Sequence, residues 1–205
     1  MKAEEFDRLT DRLVEELRSA FMHFDLYKTL NSERLNHGHV MNQSKHFWSL
    51  TINAHLESTR SIIGRIYDQD RKNLGIKSWL ILFKEHFLKP EFFEPHELDN
   101  FNRRPLQKGE IDADIKSVTT EDKLVETFYI KHRHTEIAHI SLKNSINGVS
   151  FFGMHPLSIE EHQVLIDRAA SLINKYSAYY SGINYAMTTM ENADYRHLFL
   201  RLTGE

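Results

Sequence analysis

The sequence contains no cysteine and is poor in the residues that interrupt helices. Its 205 residues include 4 prolines and 8 glycines. The absence of cysteine excludes disulfide bonds and thiolate metal sites, and it makes a reducing compartment, the cytoplasm, the expected location. The scarcity of glycine and proline, together with the lack of a long alternating strand pattern, favours helices. The composition therefore predicts an all-α protein.

The sequence also lacks an excess of positive charge and a long apolar run. Its 26 Lys and Arg residues against 29 Asp and Glu residues give a formal net charge of -3, so no global positive field attracts nucleic acid or an anionic membrane. The stretch MKAEEFDRLTDRLVEELRSAF is charged throughout, where a signal peptide needs an unbroken apolar segment. No later run has the length of a membrane span. We expect no membrane partner, and any contact with RNA must be local.

Three amphipathic patterns occupy the first half of the chain. Apolar residues three and four positions apart predict a first helix from Phe6 to about Leu30. A second helix is predicted from Phe47 to Tyr67, and its apolar stripe includes Leu50. The stretch NSERLNHGHV separates the two. A third pattern, IKSWLILFKEHFL, is apolar on most sides, which is typical of a buried central helix.

The middle of the chain is richer in proline. Residues 89–118 hold three of the four prolines and a dense mixture of charges. Because proline disfavours helix before it and suits a first helical turn, we predict an irregular segment with one helix after Pro95. Thr119 or Thr120 is a candidate N-cap for the next helix, which is predicted to run to about Lys143.

The last third of the chain begins with a clear helix signal. Ser158 followed three residues later by Glu161 is a capping box, and it predicts a helix to about Ser181. The tail, residues 182–205, has a weaker helical pattern and is expected to pack on the bundle or at an interface. Since the length suits one hydrophobic core, we predict a single domain over residues 1–205, an up-and-down bundle of five or more helices.

The segment KHRHTEIAHI, residues 131–140, concentrates ionisable side chains on a predicted helix. His132, Glu136 and His139 are spaced by four and three residues and share one helix face. This is a metal-ligand spacing, but a carboxylate-bridged di-metal bundle needs a second Glu-x-x-His, which the chain lacks. A mononuclear zinc site from His132, His139 and a third ligand is the metal hypothesis that remains.

Arg133 and His139 support a second hypothesis, RNA cleavage without a metal. The imidazole can transfer a proton as the 2′-hydroxyl attacks the adjacent phosphate, and the guanidinium can neutralise the charge that develops there. Six residues apart on one helix, the two lie about 9 Å apart along the axis and about 120° apart around it. Two such helices facing each other across a two-fold axis would bring them into a shared cleft.

A third interpretation assigns no chemistry to this segment. Helices of alternating charge commonly face solvent, and short motifs often match by chance. The spacing of the residues leaves all three interpretations open.

The stretch RHTEIAH, residues 133–139, resembles the Arg-polar-x4-His signature of HEPN ribonucleases. Arg133 and His139 stand at its ends, Ala138 gives the frequent Ala-His ending, and the polar follower is His134, where Asn or Asp is commoner. The segments LNSERLNHGHVMNQSKHFWSLTINAHLESTRSIIGRIYDQD, SWLILF and LIDRAASLINKYSAYYSG resemble the AbiU-type, abortive-infection branch of that superfamily. The likeness covers most of residues 1–182.

The resemblance implies a HEPN-like bundle, a homodimer and metal-independent endoribonuclease activity, often within toxin–antitoxin or phage-defence systems. It implies catalytic roles for Arg133 and His139 and an orienting role for His134. It also implies RNA as substrate, no cofactor, and a cognate antitoxin or nucleotidyltransferase as partner. Some HEPN members are non-catalytic modules for RNA binding or interaction, which is the first alternative function. A metal-binding helical-bundle enzyme is the second.

Four further residues are predicted to support the motif. His132 and Glu136 belong to the same segment, whereas Arg65 and Asp68 stand at the end of the second predicted helix. Arg65 and Asp68 are expected to meet the motif helix and orient His139. The alternative for this pair is a surface ion pair three residues apart, which contributes a few tenths of a kcal/mol.

Overall fold

A computed structural model describes residues 1–89, 93, 105–129, 146, 157–187 and 194–203. Regular structure in these residues is helical, and no strand occurs among them. The helices are α1 (Ala3–Asn36), α2 (Gly38–Gln43), α3 (Lys45–Ile66), α4 (Ile76–His86), α5 (Glu110–Ser117), α6 (Lys123–Glu126), α7 (Ile159–Ser181) and α8 (Asp194–Thr203). The predicted all-α class is confirmed.

The bundle is built on α1 and α3, which pack antiparallel. α1 has 34 residues and is therefore about 51 Å long. Glu16 of α1 pairs with Arg65 of α3, whereas His23 meets His55, so later positions on α1 face earlier ones on α3. The apolar spacing of three and four gives α1 one buried face: Phe6, Thr10, Leu13, Val14, Leu17, Ala20, Phe24 and Leu30.

The predicted buried third helix is confirmed as α4. Trp79 is fully buried, stacks on Phe6 with ring centroids 5.3 Å apart, and donates its indole N–H to the hydroxyl of Thr10 at 2.8 Å. Phe83, one turn later, packs against Tyr176 of α7 at 5.0 Å. Each such side chain contributes about 1.5–3 kcal/mol by burial, so α4 joins α1 and α7 in one core.

The end of α1 differs from the prediction. The helix continues through the sequence NSERLN to Asn36, beyond the predicted end near Leu30, and the break falls at His37. The extra residues contain neither glycine nor proline, and several are good helix formers, so nothing in them stops the helix.

The inward face of α3 also differs. Trp48 and Ile52 are buried, whereas Phe47 is 59% exposed and Leu50 is 71% exposed. The prediction that Phe47 and Leu50 belong to the buried stripe is therefore wrong. Apolar residues at four of six neighbouring positions fit two different helix faces, and the local pattern does not choose between them.

Residues 89–118, predicted to be irregular with one helix after Pro95, contain α5. Lys175 of α7 binds two carboxylates of this helix, Glu110 at 2.6 Å and Asp114 at 2.5 Å. The dense charge is thus neutralised by a cation from a distant part of the sequence. The residues that directly follow Pro95, up to residue 104, lie outside the described residues.

The N-cap of helix α6 lies two or three residues beyond the predicted one. Asp122, instead of Thr119 or Thr120, is the N-cap, and its carboxylate accepts two backbone N–H groups at 3.0 Å each. Arg168 of α7 pairs with the same carboxylate at 3.1 Å. The remainder of the helix predicted to run to Lys143 lies outside the described residues.

Helix α7 confirms the capping box. The backbone N–H of Glu161 donates to the hydroxyl of Ser158 at 3.1 Å, and the carboxylate of Glu161 accepts the N–H of Ser158 at 2.8 Å. The helix ends at Ser181 as predicted, because Gly182 adopts a left-handed φ of 73°, which glycine tolerates.

Helix α8 packs on the end of the α1–α3 pair. Its Phe199 is buried between His37 and Trp48, with ring centroids at 4.4 Å and 5.2 Å and interplanar angles of 9° and 15°. Phe199 and Trp48 belong to a second hydrophobic cluster: Leu30, Met41, Trp48, Ile52 and Phe199.

Candidate functional site

Two of the predicted site residues, Arg65 and Asp68, lie among the described residues. Arg65 is in the last turn of α3, and Asp68 is in the loop that leads to α4. The others lie outside the described residues, and their roles remain predictions: His132, Arg133, His134, Glu136 and His139.

The loop from α3 to α4, residues 67–75, is tied to the bundle by buried hydrogen bonds. The hydroxyl of Tyr67 donates to the carbonyl of Leu165 on α7 at 2.7 Å. Burial raises the pKa of Tyr67 far above its ordinary value, which keeps the hydroxyl a proton donor. The amide of Gln69 donates to the carbonyls of Tyr67 at 2.8 Å and Val118 at 3.0 Å.

Gly75 allows the loop to return beneath the end of α3. A Cβ atom at this position would lie 3.0 Å from the carbonyl oxygen of Ile66 and 3.1 Å from that of Asp68. Both are backbone atoms, so a larger residue would have to displace the loop or the helix end. The hydroxyl of Ser78 completes the turn, accepting the N–H of Gly75 at 3.0 Å and donating to the carbonyl of Asn73 at 2.8 Å.

This loop encloses the carboxylate of Asp68, which is only 5% exposed. The donors that reach it include the backbone N–H of Asp70 at 2.9 Å, the amide of Asn73 at 3.2 Å and the hydroxyl of Tyr129 at 3.3 Å. Burying a carboxylate is costly unless donors compensate it. Asp68 is therefore an organised buried acceptor and not a surface group.

Tyr129 links this carboxylate to the segment that carries the predicted motif. It stands 61 residues beyond Asp68 and is itself largely buried. Residues 127–129 form a π-helical turn after α6, and such wide turns are frequent at functional sites. In the sequence, Arg133 follows only four residues after Tyr129. Asp68 is thus bonded to the last described residue before the motif.

Arg65 pairs with α1 instead of with Asp68. Its Nη2 and Nε atoms lie 2.6 Å and 3.0 Å from Oε2 of Glu16, and its Nη1 donates to the hydroxyl of Ser61 at 3.3 Å. The alternative prediction of a surface ion pair between Arg65 and Asp68 is therefore wrong. The side chain of Arg65 is 54% exposed and is directed towards α1.

A family comparison bears on the whole arrangement. The family model AbiU2, HEPN_AbiU2, matches residues 3–198. The chain belongs to the AbiU2 family. The family places it in the HEPN superfamily and in the context of abortive infection, so the predicted resemblance is confirmed. Neither the curated proteins nor the solved structures compared with the chain include a significant match.

The described helices of this AbiU2-family chain include none that is long and apolar enough to cross a membrane. Within the same described ranges, no three His, Asp or Glu side chains gather as ligands for a metal ion. The zinc hypothesis concerns His132 and His139, which lie outside those ranges.

The AbiU2-family bundle contains a buried histidine that sequence reasoning missed. His162 of α7 is 1% exposed. Its Nδ1 lies 2.7 Å from the carbonyl oxygen of Ser158 and therefore donates, whereas its Nε2 accepts from Nε of Arg60 at 3.4 Å. Burial lowers the pKa of His162, and the charge of Arg60 lowers it further against the opposing effect of the Ser158 bond. The ring is neutral and supports the packing of α3 on α7.

A second histidine contact joins α1 and α3. The Nδ1 atoms of His23 and His55 lie 2.9 Å apart, so one ring must accept and be neutral. Burial, followed by the proximity of His23, lowers the pKa of His55. The two residues are 32 positions apart on different helices, and no local pattern in the sequence connects them.

Proposed function

We propose that this AbiU2-family chain is a metal-independent endoribonuclease of the HEPN type that acts as a toxin or phage-defence effector. The observation that supports this function is that the family match, residues 3–198, encloses the motif RHTEIAH at 133–139. Arg133 and His139 are the residue types that metal-free RNA cleavage requires. The activity belongs to one HEPN-like domain over residues 1–205.

The proposed reaction is an internal phosphoryl transfer. His139 takes the proton of a ribose 2′-hydroxyl as that oxygen bonds to the adjacent phosphorus, and the bond from phosphorus to the 5′-oxygen breaks. The leaving 5′-oxygen takes a proton from water, the imidazolium of His139 returns its proton to solvent, and the product strand ends in a 2′,3′-cyclic phosphate. Arg133 stabilises the charge on the pentavalent transition state. His134 orients these two groups, with His132 and Glu136 in support.

Asp68 and Tyr129 are proposed to position the motif. The carboxylate of Asp68 is fixed by the loop of residues 67–75, and the hydroxyl of Tyr129 is bonded to it at 3.3 Å. Because Arg133 follows Tyr129 by four residues, a fixed Tyr129 restricts the start of the motif segment. Arg65, held by Glu16 at 2.6 Å, is proposed to add positive charge on the same side.

The active species is proposed to be a homodimer, with RNA as substrate and a cognate antitoxin or nucleotidyltransferase as partner. On one helix, Arg133 and His139 are about 120° apart. This angle keeps the two side chains of one helix apart. A two-fold axis between subunits would place the arginine of one subunit next to the histidine of the other.

Cleavage of labelled single-stranded RNA in the presence of a strong chelator tests the proposal. We expect the wild-type chain to cleave the RNA. The cleavage rate of His139→Ala should be lower by roughly 10²–10⁴-fold, because this variant lacks the proton-transfer group. Arg133→Ala should fall comparably. Arg8→Gln is the matched control, since Arg8 is an exposed cation on α1 and lies outside the motif.

The product and the substrate range decide the mechanism. RNA with a 2′-deoxy residue at the scissile position should resist cleavage, and the product should carry a cyclic phosphate. Wild-type rates in both single variants, or equal cutting of DNA, would contradict the ribonuclease and leave the non-catalytic binding module in its place. Activity that the chelator removes, and that His132→Ala loses together with a bound metal, would favour the metal-dependent enzyme.

A further inference from the structure

A cavity lies at the opposite end of α3 from Asp68. The end of α1, helix α2 and the first turns of α3 enclose an open volume of about 300 Å³. Its side chains include Arg34, Met41, Asn42, Lys45, Trp48 and Ser49. Because the 22 residues of α3 span about 33 Å, this cavity is separate from the Asp68 loop.

The polar lining of the cavity includes two cationic side chains and contains no carboxylate. Arg34 and Lys45 bring two positive charges, and the part of the chain that the structure describes provides neither with an ion-pair partner. The carboxylate next to Arg34 in sequence, Glu33, is turned to Asn36 at 3.1 Å and to His37 at 3.6 Å. The positive charge of the cavity is therefore not neutralised from within.

Trp48 provides an independent observation. The residue is 6% exposed, and its indole N–H makes no hydrogen bond to the described residues. The indole nitrogen is not among the buried side-chain atoms that lack a partner, so it is open to solvent. The indole of the other tryptophan is already bonded, since Trp79 donates to Thr10 at 2.8 Å. One face of the Trp48 ring is already occupied by Phe199 at 5.2 Å. Its N–H remains for an acceptor that enters the cavity.

We infer that Arg34, Lys45 and Trp48 form a binding site for the phosphate of a nucleotide, either free or within an RNA strand. A guanidinium matches two phosphate oxygens, a lysine adds a point charge, and the indole supplies a neutral donor. Met41 and Trp48 give the cavity an apolar floor for the sugar or base. The volume is at the lower end of ligand pockets, which suits one nucleotide unit. This inference does not depend on cleavage at the motif.

The two tryptophans give a direct readout by nuclear magnetic resonance of the indole N–H groups. Adenosine monophosphate, and separately a uridine decamer that is 2′-O-methylated so that it cannot be cleaved, are added to the full chain. We expect the signal that Trp48→Phe removes to shift saturably, while the signal of Trp79 stays in place. Adenosine without phosphate should have no effect.

Charge removal identifies the phosphate contacts. Arg34→Gln and Lys45→Gln should each weaken the binding roughly tenfold, as expected for the loss of a hydrogen bond to a charged group. Arg8→Gln, an exposed cation at the other end of α1, should leave it unchanged. All three substitutions are at exposed positions, and circular dichroism checks that helicity is retained.

The two probes separate the possible sources of the phosphate. Binding of the monophosphate assigns a free-nucleotide site, whereas binding of the decamer without the monophosphate assigns a contact for an RNA strand. The inference is overturned if neither probe moves the Trp48 signal. It is equally overturned if adenosine binds as well as its monophosphate, or if Arg34→Gln and Lys45→Gln bind like Arg8→Gln.

Discussion

The carboxylate of Asp68 is almost completely buried and is surrounded by hydrogen-bond donors. Hydrogen bonds reach it from its own loop and from Tyr129, which is distant in sequence. A buried acceptor of this kind stabilises one arrangement of its neighbours, because any displacement leaves the charge without compensation. Asp68 is therefore well suited to hold the start of the motif segment in place.

Asp68→Asn should lower both stability and cleavage. The amide of Asn has no negative charge and can place its NH2 donor near the N–H of Asp70. We therefore expect the free energy of unfolding, measured in urea, to decrease by roughly 1–3 kcal/mol. If Asp68 acts by positioning, kcat should fall while KM changes little. Asp70→Asn, an exposed carboxylate two residues later, is the matched control. Wild-type stability and wild-type kcat in Asp68→Asn would contradict the positioning role.

The buried histidines predict how stability depends on pH. Burial lowers the pKa of both His162 and His55 in the folded state, so the unfolded chain binds protons first as pH falls below about 6.5. Stability should be complete above that pH and decrease towards pH 5, by at most about 1.4 kcal/mol per pH unit for His162, with a smaller contribution from the more exposed His55.

Urea unfolding at a series of pH values measures this effect. His162→Gln should reduce the slope between pH 7 and pH 5, because it removes one of the protons that the unfolded state takes up. His39→Gln, at an exposed position, should leave the slope unchanged. An increase in wild-type stability over the same acid range would refute the assignment of neutral buried rings.

At the scale of the elements, periodicity was sufficient to predict the helices whose burial repeats along the sequence. The stripes predicted α4 and α7, and the capping box of Ser158 and Glu161 located the start of α7. One helix was predicted after Pro95, but the position of α5 at residues 110–117 was not, because its carboxylates are compensated by Lys175, more than 60 residues away. A helix rich in charged residues has the sequence pattern of an irregular surface segment when the residues that neutralise its charges lie on another helix.

The same distinction holds for the site. The motif residues could be selected from their spacing and from the resemblance to HEPN proteins, and Asp68 could be selected with them. Its bond to Tyr129 and the pairing of Arg65 with Glu16 connect residues 61 and 49 positions apart. Side-chain contacts over such separations depend on helix packing, which local patterns do not report.

Phe199 is the fully buried residue of α8 in the second cluster, against which Tyr195 packs partly buried, so Phe199→Ala should release this helix selectively. Removing a buried phenylalanine costs about 3–5 kcal/mol, and Phe199 is the described residue of α8 that enters the second cluster. Hydrogen exchange should accelerate in α8 while α4 stays protected. Leu198→Ala, at a 43% exposed neighbour, is the control. Equal exchange in the two variants would show that Phe199 does not hold α8.

At the scale of the whole molecule, the proposed chemistry requires two chains. Light scattering at micromolar concentration should therefore give twice the chain mass of 24.2 kDa. A strictly monomeric chain that still cleaves RNA would exclude a site shared between subunits.

Mixed subunits test whether each site is shared. Arg133→Ala and His139→Ala chains are each expected to be inactive alone, and they are unfolded together and refolded as a mixture. If the arginine of one subunit serves the histidine of the other, a mixed dimer retains one intact site and should show about half the activity of a wild-type dimer. If each subunit uses its own pair, every site in the mixed dimer lacks one group. No recovery in a mixture proven to contain mixed dimers would therefore rule out the shared cleft, while leaving cleavage within single subunits as the remaining mechanism.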